Sequence, residues 1–490
     1  MKLLYIDLFC GAGGTSTGVE NARYEGRQCA KVIGCVNHDA NAIASHAANH
    51  PDTLHFTEDI RTLELSPLTA HIAEMRRQYP DAFVVLWASL ECTNFSKAKG
   101  GQPRDADSRT LAEHLFRYIE AINPDYIQIE NVEEFMSWGD LDENGKPISK
   151  DAGRLYQQWV SNVCGYGYRF AHRILNSADY GAYTTRRRFF GIFAKGSLPI
   201  VFPEPTHSKD GATGLFGQMQ RWKPVREVLD FSDEGESIFG RKKPLVDATL
   251  ERIYAGLIKF VAGGKEAFLV KWNSMSSTGK YHAPSIDEPC PTVVTQNRLG
   301  IAQVNFLSKH YGGNPAGKCV SVEEPAGTIT TWDHHSFITA YYGNGHNHSI
   351  DAPAPTLTTR DRLAFVDMQY GNGTPCGIES PAPTVTTNPK HQLVTCRMEQ
   401  RESAIVITPD DSPAMAKIKR FMALYGIIDI KMRMLRIPEL KRIMGFPSDY
   451  VLVGTQADQK KFIGNAVEVN MARVLCEALC SQLIRNNIAA

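Results

Sequence analysis

The sequence predicts an α/β fold in which a parallel sheet, covered by helices on both faces, is interrupted by a mostly β domain with tandem repeats. Up to about residue 200, short apolar runs alternate with helical segments, as in βαβ units. Beyond about residue 261 the helical periodicity fades, and Gly, Pro, Thr and aromatic residues dominate. We expect a sheet domain over residues 1–200, a second domain over 201–430, and a C-terminal segment over 431–490 that completes the first.

The predicted strands of the sheet end in polar residues. Four apolar runs carry the strands, namely KLLYIDLF, KVIGCV, DAFVVLWASL and PDYIQIENV. Acids, glycines or a cysteine stand at five strand ends, which are Gly11 to Gly14, Asn37 to Asp39, Glu58-Asp59, Glu91-Cys92 and Glu130-Asn131. Because the chemistry of such sheets lies in the loops at the carboxyl ends of the strands, we expect these residues to form one composite site.

The first strand ends have the residue types of a nucleoside site. Gly11, Gly13 and Gly14 permit a tight turn and let a ligand approach the backbone closely. The turn is not GxGxxG, and no Gly-Lys-Ser/Thr follows it, which disfavours dinucleotide and P-loop binding. Asp39 suits an acceptor for ribose hydroxyls, and Asp59 suits an acceptor for an exocyclic amine. Taken singly, each acid is more often a solvated loop residue or a helix cap.

Composition limits the classes of protein that fit this chain. The 53 basic and 53 acidic residues cancel, so net charge neither predicts nor excludes a nucleic-acid partner. No apolar run approaches the ~20 residues that span a bilayer, and the N-terminus lacks a signal-peptide pattern. The 11 cysteines include no CxxC pair and no cluster with zinc-ligand spacing. We therefore expect a cytoplasmic protein without membrane segments, disulfides or a metal.

Cys92 differs from the other cysteines in its surroundings. A free cysteine is usually buried and inert, whereas Cys92 stands at a strand end before a polar, glycine-containing loop. Nearby cations favour the reactive thiolate, and Lys97 and Lys99 follow closely in the sequence. The basic segment TTRRRFFGIF offers three more cations, although it also fits a basic edge strand on the surface. The sequence thus makes Cys92 a candidate nucleophile.

Six motifs together resemble the DNA cytosine-5 methyltransferases. In chain order they are DLFCGAGG (Asp7–Gly14), ECTNFSKA (Glu91–Ala98), ENV (Glu130–Val132), TTRRRFFGIF (Thr184–Phe193), PELKRIMGFPSDY (Pro438–Tyr450) and IGNAVEVNMARVL (Ile463–Leu475). They follow the order of the family and cover about residues 1–200 and 430–490. The resemblance implies a Rossmann-like class I methyltransferase sheet with an inserted target-recognition domain, and methylation of carbon 5 of cytosine.

The resemblance also assigns roles to individual residues. Cys92 is the implied nucleophile, which attacks carbon 6 of the base and so makes carbon 5 reactive. Glu130 is implied to bind ring nitrogen 3 and the exocyclic amine, and Arg186 and Arg188 are implied to steady the loop, the base and the phosphate. The target carbon is inaccessible in a stacked duplex, so the cytosine has to be flipped out.

The implied cofactor is S-adenosyl-L-methionine, with S-adenosyl-L-homocysteine as its product and no metal. The residues matched to its site are Phe9, Gly11, Gly13, Asp39, Asp59, Ile60, Asn465 and Val467. One departure from the family concerns the nucleophile loop, where Glu91 replaces the usual proline. A carboxylate disfavours a neighbouring thiolate. Glu91 therefore points away from the thiol, is neutralised by Arg186, Arg188 or Lys97, or contacts the nucleotide or cofactor.

The second domain contains four repeats over about residues 285–395. They start at Ser285, Ser321, Ser349 and Gly377, and each ends in a Thr-rich strand followed by a basic or imidazole side chain. These side chains are Arg298, His334, Arg362 and Lys390. They fit either a solvated repetitive scaffold or a surface that reads DNA, as the position of this domain in the family implies.

The sequence as a whole predicts a cytosine-5 methyltransferase that modifies a short specific sequence in double-stranded DNA. A prokaryotic or phage modification enzyme, such as one of a restriction-modification system, is the natural setting, with or without a cognate restriction endonuclease. We expect a monomer. Two alternatives stay open, a transfer-RNA methyltransferase with the same motifs and a catalytically silent DNA-binding relative.

Overall fold

The protein is described by a computed structural model. It describes residues 1–90, 112–140, 142, 148, 152–211, 213–214, 217–230, 232–233, 236–258, 267–271, 293–295, 299–303, 307–309, 319–320, 335–336, 364–368, 384–387, 391–397, 406–425, 427 and 429–486. The chain divides into two compact units, one formed by Met1–Trp222 with Lys441–Ala490 and the other by Lys223–Leu440. Among the helices of the described part, none has the length and apolar character needed to span a membrane.

A seven-stranded sheet forms the centre of the first unit. Its strands are β1 (Leu3–Leu8), β2 (Ala30–Asn37), β3 (Leu54–Thr57), β4 (Phe83–Ser89), β5 (Tyr126–Asn131), β6 (Tyr168–Asn176) and β7 (Arg187–Lys195). In space they follow the order β3-β2-β1-β4-β5-β7-β6. All neighbours are parallel except that β7 lies antiparallel to both β5 and β6. Short two-residue strands pair at Arg23–Tyr24 with Arg27–Gln28, His207–Ser208 with Gln220–Arg221, and Thr213–Gly214 with Gly217–Gln218.

Helices follow most of the parallel strands. In chain order the α-helices of the described residues are α1 (Gly14–Glu20), α2 (Ala40–Asn49), α3 (Ser66–Gln78), α4 (Leu115–Ile122), α5 (Arg154–Cys164), α6 (Asp247–Gly256), α7 (Pro413–Tyr425), α8 (Ile437–Ile443), α9 (Gln456–Asn465) and α10 (Val469–Arg485). Short 3-10 helices lie at Glu133–Ser137, Ser177–Tyr180 and Val225–Val228.

The sheet is buried on both faces. All six residues of β1 are buried, and their side chains alternate between two cores. Leu4 and Ile6 pack in one core with side chains of α3, α4 and α5. Leu3 and Tyr5 pack in the other with side chains of α1 and of the C-terminal helix α10. The predicted α/β fold with helices on both faces of a Rossmann-like sheet is therefore confirmed.

The strand order reverses beside β1. The chain proceeds from β1 to β2 and β3 on one side, and then continues with β4 and β5 on the other. The loops that follow β1 and β4 therefore leave in opposite directions, which opens a crevice at the carboxyl ends of these strands. Phe9 follows β1 and Leu90 follows β4, so both residues lie at this crevice.

The second unit is mostly β in the residues that the structure describes. Its largest sheet has six strands in the order Glu236–Ser237, Asp429–Met434, His391–Arg397, Ala364–Met368, Leu299–Gln303 and Ala267–Lys271. Leu307–Lys309 pairs with Cys319–Val320 and His335–Ser336. Val293–Thr295 of the first repeat pairs in parallel with Thr384–Thr387 of the fourth. Most of the repeat array, including Arg298, His334, Arg362 and Lys390, lies outside the described residues.

Candidate active site

A cavity of about 520 Å³ lies at the carboxyl ends of the strands in the first unit. Its wall combines segments from many parts of the chain, because the loops after parallel strands meet at one edge of the sheet. It includes nine of the residues predicted for the site, which are Phe9, Gly11, Asp39, Asp59, Ile60, Glu130, Arg186, Asn465 and Val467. Cys92, with its neighbours Glu91 and Lys97, lies outside the described residues.

The turn between β1 and α1 has an unusual backbone. Phe9 has a φ of 59°, and Gly11 and Gly13 have φ values of 52° and 99°. A positive φ is rare for a residue other than glycine, so Phe9 is held there by the surrounding structure. A Cβ on Gly13 would lie 2.4 Å from the Tyr450 hydroxyl, whereas a Cβ on Gly11 would meet nothing within 4 Å. Gly11 thus borders the cavity, while Gly13 allows close packing and is not among the cavity-lining residues.

Asp39 caps the helix that follows β2 and also lines the cavity. Its Oδ1 accepts hydrogen bonds from the backbone of Asn41 at 3.0 Å and of Ala42 at 3.2 Å. Its Oδ2 lies 3.2 Å from Nζ of Lys461, which comes from α9. The carboxylate is therefore fixed in direction by the helix end and by a cation that is 422 residues away in the sequence.

Asp59 forms a bidentate ion pair with Arg61. The two carboxylate oxygens lie 3.0 Å from Nε and 2.6 Å from Nη2 of the guanidinium. This pair lowers the pKa of Asp59 to about 2, so the carboxylate is ionised and available as an acceptor over the whole physiological range. Arg61 also lines the cavity. Sequence reasoning did not identify Arg61, two residues away, as the side chain that orients this acid.

The backbone of Ile60 is hydrogen-bonded to side chains of helix α4. Its carbonyl oxygen accepts hydrogen bonds from Nη1 of Arg117 and from the hydroxyl of Tyr118, both at 2.9 Å. The side chain of Ile60 is buried in the core below the cavity. The segment that carries Asp59 and Ile60 is thus held at both backbone and side chain, which keeps one wall of the cavity in place.

Glu130 and Arg188 meet on neighbouring strands. Glu130 is the penultimate residue of β5 and is 5% exposed, and Nε of Arg188 on β7 lies 3.3 Å from its Oε1. Ser89, the register partner of Glu130 on β4, also lines the cavity. Leu90 is the last described residue before the predicted nucleophile loop, and its carbonyl accepts a hydrogen bond from the Asn131 side chain at 3.4 Å.

Arg186 has a different set of partners from Arg188. It is 3% exposed, and its Nη1 donates a hydrogen bond to the carbonyl of Gly464 at 3.2 Å. Gly464 directly precedes the cavity-lining Asn465. The first arginine of the motif therefore supports the C-terminal wall of the cavity, whereas the second contacts the acid that is predicted to bind the base.

Glu468 is a buried acid that sequence reasoning did not identify. It caps α10 by accepting hydrogen bonds from the backbone of Asn470 at 3.2 Å and of Met471 at 2.8 Å. Burial raises the pKa of this carboxyl to about 7. It directly follows Val467, which lines the cavity.

Comparison with known proteins places the chain in a family. The sequence model of the C-5 cytosine-specific DNA methylases matches residues 3–221 and 330–481. The Type II methyltransferase M.AgeI of Thalassovita gelatinovora is 28% identical over 43% of this chain and 44% of its own length. The Type II methyltransferase M1.HphI of Haemophilus parahaemolyticus is 27% identical over 44% and 52%. The match thus spans about half the length of these curated relatives.

One solved structure to which this chain is similar is that of the S. pombe Dnmt2 methyltransferase. It is 14% identical, with a TM-score of 0.45 and coverage of 100% of both chains, a similarity too low to indicate function. The family match, in contrast, covers well over half of the chain and includes all six motifs on which the resemblance was based. This chain belongs to the C-5 cytosine-specific DNA methylase family.

Proposed function

We propose that this protein transfers a methyl group from S-adenosylmethionine to carbon 5 of cytosine in double-stranded DNA. The observation that supports this most is that a single cavity joins Gly11, Asp39 and Asp59, which are expected of a nucleoside site, to Glu130, whose ion-pair partner is Arg188. Family membership supplies the reaction class, and the cavity supplies a place where cofactor and base can lie side by side.

The cavity suits S-adenosylmethionine in size and in chemistry. Its volume of about 520 Å³ lies within the range of roughly 300–1,000 Å³ that is common for ligand sites. Phe9 and Ile60 offer apolar contacts for an adenine, Asp39 and Asp59 offer carboxylates, and the backbone at Gly11 is open to close approach. When bound, the cofactor supplies an electrophilic methyl group.

Glu130 recognises the target base in this proposal. Its buried carboxyl group binds ring nitrogen 3 and the exocyclic amine of cytosine, and it shares a proton with the ring nitrogen as negative charge develops there. Arg188, 3.3 Å away, holds this carboxyl group in position on the floor of the cavity. Because both side chains are nearly buried, their interaction with the base is stronger than it would be in water.

Cys92 is the nucleophile in the same proposal. Its thiolate bonds to carbon 6, the electron pair moves to carbon 5, and carbon 5 takes the methyl group. Loss of the proton from carbon 5 then restores the double bond and releases the thiolate. The strand that leads to Cys92 ends at the cavity beside Glu130. The cytosine has to leave the base stack to reach these groups.

The repeat-bearing domain is the proposed reader of a short DNA sequence. Arg298, His334, Arg362 and Lys390 supply base or phosphate contacts, and the enzyme works as a monomer, with or without a cognate nuclease.

A labelling experiment tests the proposed reaction. The full chain is incubated with methyl-labelled S-adenosylmethionine and either mixed-sequence duplex DNA or transfer RNA, with Cys92→Ala as the inactive variant and Cys164→Ala as a matched thiol control. We expect label in duplex DNA with wild type and Cys164→Ala only. Label confined to transfer RNA would make this an RNA enzyme, and label in neither would favour the silent DNA-binding relative.

A further inference from the structure

Three buried metal-binding side chains converge beneath the glycine turn of the first unit, and a fourth lies beside them. The thiols of Cys10 and Cys35 and a ring nitrogen of His46 lie within 4.8 Å of one another, and all three residues are buried. The Sγ of Cys35 is 3.7 Å from Nδ1 of His46. The same Nδ1 is 2.9 Å from Nε2 of His55, which is half-buried. His46 thus links the group of three to His55, which brings two sulfur and two nitrogen atoms into one region of the fold.

The fold, and not local sequence, brings these side chains together. Cys10 follows β1, Cys35 lies in β2, His46 lies in α2 and His55 lies in β3. Cys35 and His55 are register partners on adjacent parallel strands, so both point to the same face of the sheet. Zinc motifs are usually recognised in a sequence from closely spaced pairs of ligands. Here the four residues are 25, 11 and 9 positions apart, by subtraction of their numbers, so the sequence predicted no metal.

The hydrogen bonds around His46 direct the lone pair of one ring nitrogen at the cluster, where it accepts a hydrogen bond from Nε2 of His55 when no metal is bound. Ser16 donates its hydroxyl proton to Oδ2 of Asp7 at 2.8 Å. The Ser16 oxygen, 2.8 Å from Nε2 of His46, therefore accepts a proton from that nitrogen. Nδ1 is then unprotonated and faces Cys35 and His55. Metal-binding histidines are usually oriented in this way, through a hydrogen bond from the other ring nitrogen.

We propose that Cys10, Cys35, His46 and His55 bind one zinc ion in tetrahedral coordination. Two thiolates with two imidazoles are a donor set that selects zinc. With Zn–S near 2.3 Å and Zn–N near 2.0–2.1 Å, a tetrahedron separates its ligand atoms by about 3.3 to 3.8 Å. The Cys35–His46 separation of 3.7 Å fits this range, and the His46–His55 separation of 2.9 Å needs to open by only a few tenths of an ångström.

Zinc binding at this site would affect the cavity through the glycine turn. Cys10 stands between Phe9 and Gly11, which both line the cavity, so the ion ties the glycine turn to β2, α2 and β3. Four protein ligands leave no position for a substrate, which makes this a structural site. Zinc therefore stabilises the fold and holds the turn in its unusual backbone conformation.

Metal analysis of the full chain tests the site independently of methylation. The protein, free of added histidine tags, is purified in reducing buffer, supplied with zinc and freed of excess ion. We expect about one zinc per chain, and X-ray absorption with two sulfur and two nitrogen neighbours at the distances above. We expect His55→Gln, a change at a half-buried side chain, to weaken zinc affinity by at least about tenfold while circular dichroism stays unchanged.

Two matched variants control for other side chains. His50 lies with its ring 4.7 Å from that of His46, but its Nε2 contacts Thr17 at 3.0 Å instead of the cluster, so His50→Gln keeps zinc. Cys476 belongs to a separate thiol group with Cys29 and Cys480, so Cys476→Ser also keeps zinc. Absence of stoichiometric zinc in wild type, unchanged affinity in His55→Gln, or loss of zinc in Cys476→Ser would overturn the proposal.

Discussion

Arg188 and Glu130 form an ion pair at the floor of the cavity, with Nε of the arginine 3.3 Å from Oε1 of the glutamate and both side chains at most 11% exposed. A second pair lies close by in the sequence, since Arg187 contacts Glu133 at 2.9 Å, but its side chains are 59% and 39% exposed. The two arginines are consecutive on β7, and the two glutamates are three residues apart, Glu130 in β5 and Glu133 in the 3-10 helix that follows. One is buried at the cavity and the other is solvated, so they can be compared directly.

Replacing Glu130 by Gln removes the acid that is proposed to bind the base. We expect kcat to fall by about 10²- to 10³-fold, because the carboxyl group acts on charge that develops in the transition state. Affinity for the cofactor should change little. Steady-state methylation of a cognate duplex measures both quantities. Glu133→Gln is the matched control and should keep kcat within about twofold, since an exposed ion pair contributes little. Equal effects of the two substitutions would count against the role of Glu130.

Replacing Asp39 by Asn keeps the helix-capping contacts of this residue and removes the negative charge that its proposed role requires. Asn still caps α2 through its side-chain oxygen, so the melting temperature should stay close to that of the wild type. We expect affinity for S-adenosylhomocysteine, measured by calorimetry, to fall by about tenfold, since a charged acceptor for the ribose is lost. Asp458→Asn, which alters the exposed cap of α9, is the control. Unchanged affinity in Asp39→Asn would assign Asp39 to capping alone.

The buried acid Glu468 should make stability depend on pH. Its pKa is raised from 4.5 to about 7 in the folded state, so the folded protein binds more protons than the unfolded chain between these values. The contribution of this group to stability is present below pH 4.5 and is lost as the pH rises through about 7. The Gln side chain of Glu468→Gln stays neutral. As the pH rises through this window, the free energy of unfolding of the variant should therefore increase by on the order of 3 kcal/mol relative to that of the wild type.

Urea unfolding of both proteins at several pH values measures this difference. Glu477→Gln removes a partly exposed carboxylate from the same helix, which pairs with Arg473 at 2.7 Å, and is the matched control. A Glu468→Gln variant whose stability runs parallel to that of the wild type over the whole range would contradict the predicted titration.

The basic and imidazole side chains of the repeats should affect DNA binding. Arg298→Ala, His334→Ala, Arg362→Ala and Lys390→Ala are each expected to weaken binding or to change the preferred site. A lost phosphate contact lowers the slope of log affinity against log salt by about 0.9, whereas a lost base contact relaxes sequence preference. Anisotropy titrations at several salt concentrations and sequencing of methylated sites distinguish these cases. Unchanged affinity and unchanged site choice in all four variants would refute a DNA-reading role.

Much of the fold was predictable because parallel strands obey simple rules. Apolar runs followed by helices indicated the sheet, and the polar residues at their ends, such as Asp39 and Glu130, indeed line one cavity. The position of β7 was not predictable. The basic segment fitted an edge strand, yet β7 lies between β5 and β6, because neighbours in a sheet depend on the whole topology and not on local pattern.

The contacts that hold the site residues in place could not be predicted from the sequence either. Lys461 reaches Asp39 across 422 residues, and Arg117 holds the backbone of Ile60 across 57. Such pairs follow from packing in three dimensions, and no short motif encodes them. The cluster of Cys10, Cys35 and His46 was not predicted for the same reason, because its side chains come from separate elements of the fold.

The central claim, methylation at carbon 5 of cytosine through Cys92, is tested most directly by analysis of the modified base. Duplex DNA is incubated with S-adenosylmethionine that carries a deuterated methyl group, digested to nucleosides and examined by mass spectrometry. We expect deuterated 5-methylcytosine with the wild type and none with Cys92→Ala. Label on an exocyclic amine of cytosine or adenine, or equal labelling by the Cys92→Ala variant, would contradict it.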